Sequence, residues 1–141
     1  MAILNEDVRG KVREEFEGLS GKVKLVVFTQ EFECAHCREN TSLAQEVAAL
    51  SDRLDIEVND FVLDEKTVQR YGVDKIPAIV VEGEKDYGIR FYGVPAGYEF
   101  TSLIEAIKAV SARESGLAAK TKETLAGLRD PLHLQVLVTP T

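Results

Sequence analysis

Both cysteines of this 141-residue chain, Cys34 and Cys37, stand in the stretch FECAHCREN, with His36 between them. Thiols at that spacing can supply half of a metal site, form a structural staple, or work as a dithiol that cycles between reduced and oxidised forms. Zinc needs about four ligands. The other candidates are His36, which cannot easily share a metal with the adjacent Cys37 and with Cys34, and the distant His133. No metal is therefore expected; an iron–sulfur cluster shared between two chains is an alternative of similar weight to zinc. A purely structural disulfide would close a loop too short to restrain the unfolded chain much. A redox pair has better physical support. Leu43, Val47, Leu50 and Leu54 follow at helical spacing, so Cys34 is expected to open a helix. Unpaired first-turn N–H groups and the positive end of the dipole favour a thiolate there. Cys37, one turn further in, can reach Cys34 to close a disulfide and should be the more shielded thiol.

The neighbours of the pair act in opposite directions. A His36 imidazolium beside the thiolate would stabilise the reduced form and make the disulfide a better oxidant. Glu31, Glu33 and Glu39 disfavour a nearby anion. The plain alternative for His36 is an exposed surface residue without a role. The thiolate is expected to form below the free cysteine value of about 8.5.

The elements that must position these residues follow from hydrophobic periodicity. The N-terminal stretch carries Leu4, Val8, Val12, Phe16 and Leu19 on one helical face. VKLVVFT, residues 23–29, is a β-branched run between turn signals and reads as a buried strand. IEVNDFVL, residues 56–63, is a second strand, followed by Asp64 as the N-cap of a short helix to Tyr71. Pro77 starts a third strand, AIVVEG, and residues 83–86 turn it into a fourth, YGIRFY. Residues 97–110 form a helix burying Phe100, Leu103, Ile104, Ile107 and Val110. This order predicts an α/β domain over residues 1–110: a four-stranded mixed sheet in the order 2-1-3-4, helices on both faces, and a leading N-terminal helix.

Composition narrows the function. A 45% hydrophobic fraction supports a real core, and a net charge of −7 without a long Lys/Arg run argues against nucleic acid and anionic membranes. No apolar run approaches the roughly 20 residues of a spanning helix, and charges interrupt the N-terminus throughout, unlike a signal peptide. A cytoplasmic location is expected, and in a reducing compartment a CxxC is more often catalytic or metal-binding than a staple.

Residues 111–141 exceed what one domain needs. SARE, residues 111–114, has capping-box spacing and predicts a helix to about Leu128, and LHLQVLVTPT then reads as another strand. Lys11, Glu14, Gly18 and Leu19 recur at one offset as Lys120, Glu123, Gly127 and Leu128, and LVVFT is echoed by QVLVT one residue out of step. The expectation is the helix and strand opening a second, truncated unit. Its apolar strand should find cover on its own sheet or, with slight preference, by pairing two chains into a homodimer.

A CxxC between a buried strand and a helix, followed by apolar-Pro before a β-hairpin, resembles the thioredoxin and glutaredoxin superfamily. The opening helix, KLVVFT, YGVDKIPAIVV and GIRFYGVPAGYEF are similar to the N-terminal unit of the two-unit protein disulfide oxidoreductases of thermophiles, also described as glutaredoxin-like. The resemblance spans essentially the whole chain, and in that family a second CxxC follows a V-T-P-T segment like the one here. It implies thiol–disulfide exchange with protein or small disulfide substrates, needing no cofactor, with Cys34 attacking and Cys37 resolving. It leaves room for a thioredoxin-reductase-like flavoprotein as partner. Ile76 would pair its backbone with an extended substrate beside a cis Pro77, and Gly93 would flank that groove. Two departures stand out. The motif CAHC has the histidine of protein disulfide isomerases in place of the Pro-Tyr of glutaredoxins, and Phe28 stands where thioredoxins keep a buried carboxylate, a task open to Glu31 or Glu33. The rival reading is a redox-poor unit that binds substrate or partner for a larger oxidoreductase.

Overall fold

Leu25, Val26, Val27 and Phe28 have no exposed surface at all, and the computed structural model, which describes residues 2–139, is arranged around them. The elements run α1 (Glu6–Phe16), β1 (Val23–Thr29), α2 (Cys37–Ala48), β2 (Leu54–Asp60), α3 (Glu65–Tyr71), β3 (Ala78–Glu82), β4 (Asp86–Tyr92), α4 (Tyr98–Ala112) and α5 (Ala119–Ala126). The sheet order is β2-β1-β3-β4, as the sequence predicts. β1 lies parallel to β2, with Val27 opposite Val58, and antiparallel to β3, with Phe28 opposite Ala78. β4 closes the hairpin on β3.

Alternation along β1 divides the core. Leu25 and Val27, with Ile79 and Val81 of β3, face Val12 and Phe16 of α1, Leu43 and Val47 of α2, and Leu103 and Ile107 of α4. Val26, Phe28 and Val80 face the smaller cluster built with Tyr71 and Val73 around α3. Each such side chain contributes about 1.5–3 kcal/mol on burial, so β1 is the strand whose loss the fold would tolerate least. α1 is capped by Asn5, whose Oδ1 accepts from Val8 N at 2.9 Å, and its apolar face joins the core.

Several expectations are corrected. β2 begins at Leu54 and ends at Asp60, not at residue 63. The apolar pair Val62 and Leu63 sits on the following turn, 66% and 83% exposed, because Asp60 Oδ1 accepts from the N–H groups of both and curls the chain. Asp64 precedes α3 but does not cap it with its side chain; its Oδ2 accepts from Asp60 N at 2.7 Å instead. SARE starts no helix, because α4 runs on through Ala112. Ser111 is buried there, donating to Gly21 O at 2.7 Å and accepting from Gly21 N at 3.1 Å. That clasp fixes the end of α4 to the entry of β1.

α5 forms where the repeat places a helix, and the repeated turn is real: Leu19 N donates to Phe16 O at 3.1 Å, and Leu128 N donates to Leu125 O at 3.1 Å. The strand after it does not form. Residues 131–139 carry no regular structure and are exposed throughout, since a strand needs a neighbour for its backbone groups. Pro140 and Thr141, the end of the VTPT segment, lie outside the described residues. Among the described residues no helix is long and apolar enough to cross a membrane.

Replacing Ser111 by alanine leaves both backbone groups of Gly21 without their partner. The Ser111→Ala protein is expected to lose about 1–3 kcal/mol of stability, read as a lower urea midpoint with unchanged slope; an unchanged midpoint would show that the clasp is ornamental.

Candidate active site

Beyond Thr29 the chain turns through residues 30–36 before α2 begins. Gln30 Nε2 donates to Phe32 O at 2.6 Å, and Glu33 takes a left-handed backbone, φ +58, which costs a residue with a Cβ about 1–3 kcal/mol. The turn carries Cys34 to the mouth of the site. Cys34 and Cys37 are joined in a disulfide with 5.5 Å between their Cα atoms. Cys34 is half-buried, whereas Cys37 is only 1% exposed.

The helix does not open at Cys34. Its first residue is Cys37, with His36 at the N-cap position and Asn40 N donating to His36 O at 3.0 Å. The free N–H groups of the first turn therefore belong to Cys37, Arg38 and Glu39, and Cys34 approaches the positive end of α2 from outside. The disulfide spans the helix entry instead of lying along it. His36 is 70% exposed, and its Nδ1 is 3.7 Å from Glu39 Oε2, so the imidazole has an acidic neighbour on its own helix. Glu31 and Glu33 are exposed. Phe28, at the position of the missing carboxylate, is buried and packs edge-on against Tyr71 at 5.8 Å between centroids.

Across from the dithiol stands the loop before β3. The Ile76–Pro77 bond is cis. Pro77 is buried, and its carbonyl accepts from Gly93 N at 2.9 Å. Ile76 is half-exposed, and its own N–H and C=O find no partner among the described residues. Gly93 takes φ +88, and a Cβ there would meet nothing within 4 Å. Its need for glycine is thus conformational, and space remains open on that side. His36, Pro77 and Gly93 all line one groove of about 930 Å³.

The groove also contains residues that the sequence did not single out. Tyr92 pairs with Ala78 at the end of the hairpin, and Lys75 Nζ sits 4.2 Å from the centroid of its ring. Asp74, hydrogen-bonded to Lys75, keeps that ammonium above its ordinary range, and its own carboxyl is held down in return. Glu99, in the first turn of α4, has its carboxyl pushed up by burial. Position next to Pro77 and Gly93 was the available signal for Lys75 and Tyr92; none pointed to Glu99. The far wall is segment 131–139, including Leu134 and Val136. Among the described residues no group of three or more His, Cys, Asp or Glu could hold a metal ion.

Comparison with known proteins gives the same picture from another direction. Residues 22–105 match the model of the thioredoxin domain family. The chain is 29% identical to the F component of alkyl hydroperoxide reductase from Staphylococcus epidermidis, over 99% of its own length and 25% of that protein's; it spans about a quarter of such relatives. Among solved structures, a protein disulfide oxidoreductase from Aeropyrum pernix superposes with a TM-score of 0.82 at 28% identity, covering 92% of this chain and 57% of that one. The F component of the Enterococcus faecalis alkylhydroperoxide reductase superposes at 0.80 with 26% identity, over 89% of this chain and 61% of that one.

After reduction, exposure at the mouth should make Cys34 the thiol that alkylates first. Brief iodoacetamide treatment followed by mass mapping is expected to find label on Cys34 before Cys37; preferential modification of Cys37 would contradict this.

Proposed function

The chain belongs to the thioredoxin domain family, and on that premise we propose that it works as a thiol–disulfide oxidoreductase on protein or small disulfide substrates. One observation carries the reading: a closed Cys34–Cys37 disulfide at the entry of α2, its second sulfur buried, beside a groove walled by Pro77, Tyr92 and Gly93. In the reduced protein the Cys34 thiolate attacks one sulfur of the substrate disulfide. That S–S bond breaks, and the other substrate sulfur leaves as a thiolate that takes a proton from solvent. Cys37, deprotonated, then attacks Cys34 Sγ, expels the second substrate thiol, and closes the intrachain disulfide. The substrate is reduced by two electrons and the dithiol is oxidised. The chemistry needs no cofactor, and a flavoprotein reductase of thioredoxin-reductase type would return the electrons.

Residues Ile76, Pro77 and Gly93 form the substrate edge in this reading. The unpaired backbone of Ile76 supports that role. His36, exposed beside Cys34, would stabilise the thiolate when protonated, against the counterweight of Glu39. Residues 111–141 are proposed to belong to a second unit, supported by the sequence repeat and by the matching turns after α1 and α5.

Two measurements test these proposals. In a disulfide-reduction assay Cys34→Ser should abolish turnover, whereas Cys37→Ser should stall as a mixed disulfide visible by mass; activity surviving both changes would overturn the oxidoreductase reading. The exposed Leu134, Val136 and Leu137 of segment 131–139 should draw two chains together in solution, and deletion of residues 131–141 should return a monomer. A strict monomer of the whole chain would end the pairing proposal.

A further inference from the structure

The buried face of α2 reads Cys37, Asn40, Leu43, Ala44, Val47, Ala48. Every member is apolar or a thiol except Asn40, which is 0% exposed. Neither Nδ2 nor Oδ1 of that amide has a hydrogen-bond partner among the described residues. Leaving a buried polar group unpaired costs about 1–3 kcal/mol, so an aliphatic residue would serve the helix better if packing were the only task. Asn40 sits one turn after Cys37 on the same face. Helical side chains tilt back towards the N-terminus, which carries the amide over the turn that holds Cys37.

Phe28 is apolar, so the buried resolving thiol has no acidic helper from that position of β1. We infer that Asn40 is a positioning residue for Cys37: once the disulfide opens, its Nδ2–H donates to the Cys37 sulfur and stabilises the thiolate that attacks the mixed disulfide. The amide takes no proton; the proton of Cys37 passes to solvent, and the sulfur's electron pair forms the new bond to Cys34 while the Cys34–substrate bond breaks. This role rests on the dithiol working as an oxidoreductase pair. In the disulfide form the amide makes no hydrogen bond among the described residues, so its bond to the Cys37 sulfur forms only once the disulfide opens.

Other groups that could shift Cys37 stay the same when Asn40 is replaced. Glu31, Glu33, His36, Arg38 and Glu39 lie on its own segment and are exposed. Elsewhere, Lys75 of the loop before β3 is exposed, and Asp60 of β2 and Glu99 of α4 are half-buried. None is changed by substituting Asn40.

The test uses the reduced full chain and an aromatic disulfide reagent that releases one coloured thiol when Cys34 attacks and a second when Cys37 resolves. In Asn40→Leu the first release should keep its rate. The second should slow about tenfold near neutral pH and recover at alkaline pH, its midpoint moving up by about one unit. The oxidised variant should be at least as heat-stable as the parent, because two unpaired polar atoms are gone. Asn40→Ala carries the same expectation for the second release should leucine not fit. An unchanged pH midpoint for the second release, or an equal slowing of both releases, would overturn the inference. A parent protein that never releases the second thiol would instead overturn the dithiol reading, and the role of Asn40 with it.

Discussion

The pairing of Phe28 with Ala78 across β1 and β3 is the constraint on which the site depends. β1 is the central strand, buried on both faces and bonded along both edges, so its position cannot drift. Its C-terminal end launches the turn with Cys34. The residue before Ala78 is Pro77. Register therefore brings the two sequence-distant parts of the groove to the same end of the sheet, and a slip by one residue would reverse every side chain of β1 between the two cores. The next strand extends the arrangement: Ala78 pairs in turn with Tyr92, which delivers Gly93 to the carbonyl of Pro77. Three neighbouring strands meet where the dithiol begins.

Much of this was legible in the sequence because the core strands are short, β-branched and flanked by turn residues. β1 and the sheet order follow from VKLVVFT, the crossover helix after it, and the hairpin that AIVVE opens. The apolar faces of α1 and α4 were equally plain. What failed did so for identifiable reasons. Val62 and Leu63 extend an apolar run, but a single aspartate, Asp60, bends the backbone before them. Ser111 has the sequence signature of a helix start, yet its hydroxyl serves a backbone 90 residues away in the chain. QVLVT repeats the pattern of a strand, yet it carries no regular structure and stands as the far wall of the groove. Local signals in each case met a partner, present or missing, that the pattern does not encode.

At the site itself, the identity of the residues was more legible than their geometry. His36, which stands between the two cysteines, lines one groove with Pro77 and Gly93. The helix begins at Cys37 and not at Cys34, which changes the electrostatics: Cys34 meets the end of α2 from outside, while Cys37 is the residue built into it. Asn40 carried no signal in the sequence that set it apart. Its meaning depends on its lack of partners, which only the packed structure reveals.

Gly93 has one consequence for selectivity. Proline has no N–H, and the carbonyl of Pro77 is already taken by Gly93. Beside that edge of the groove the backbone donor and acceptor of Ile76 stay open to a neighbouring chain. Contact through a single residue's main chain is indifferent to side-chain identity. In the proposed oxidoreductase role it would favour any polypeptide that can lie extended next to its own disulfide, and would turn away one whose disulfide is locked inside a folded core. In that role the feature would sort chains by folding state and not by sequence, with conformational looseness as the property read.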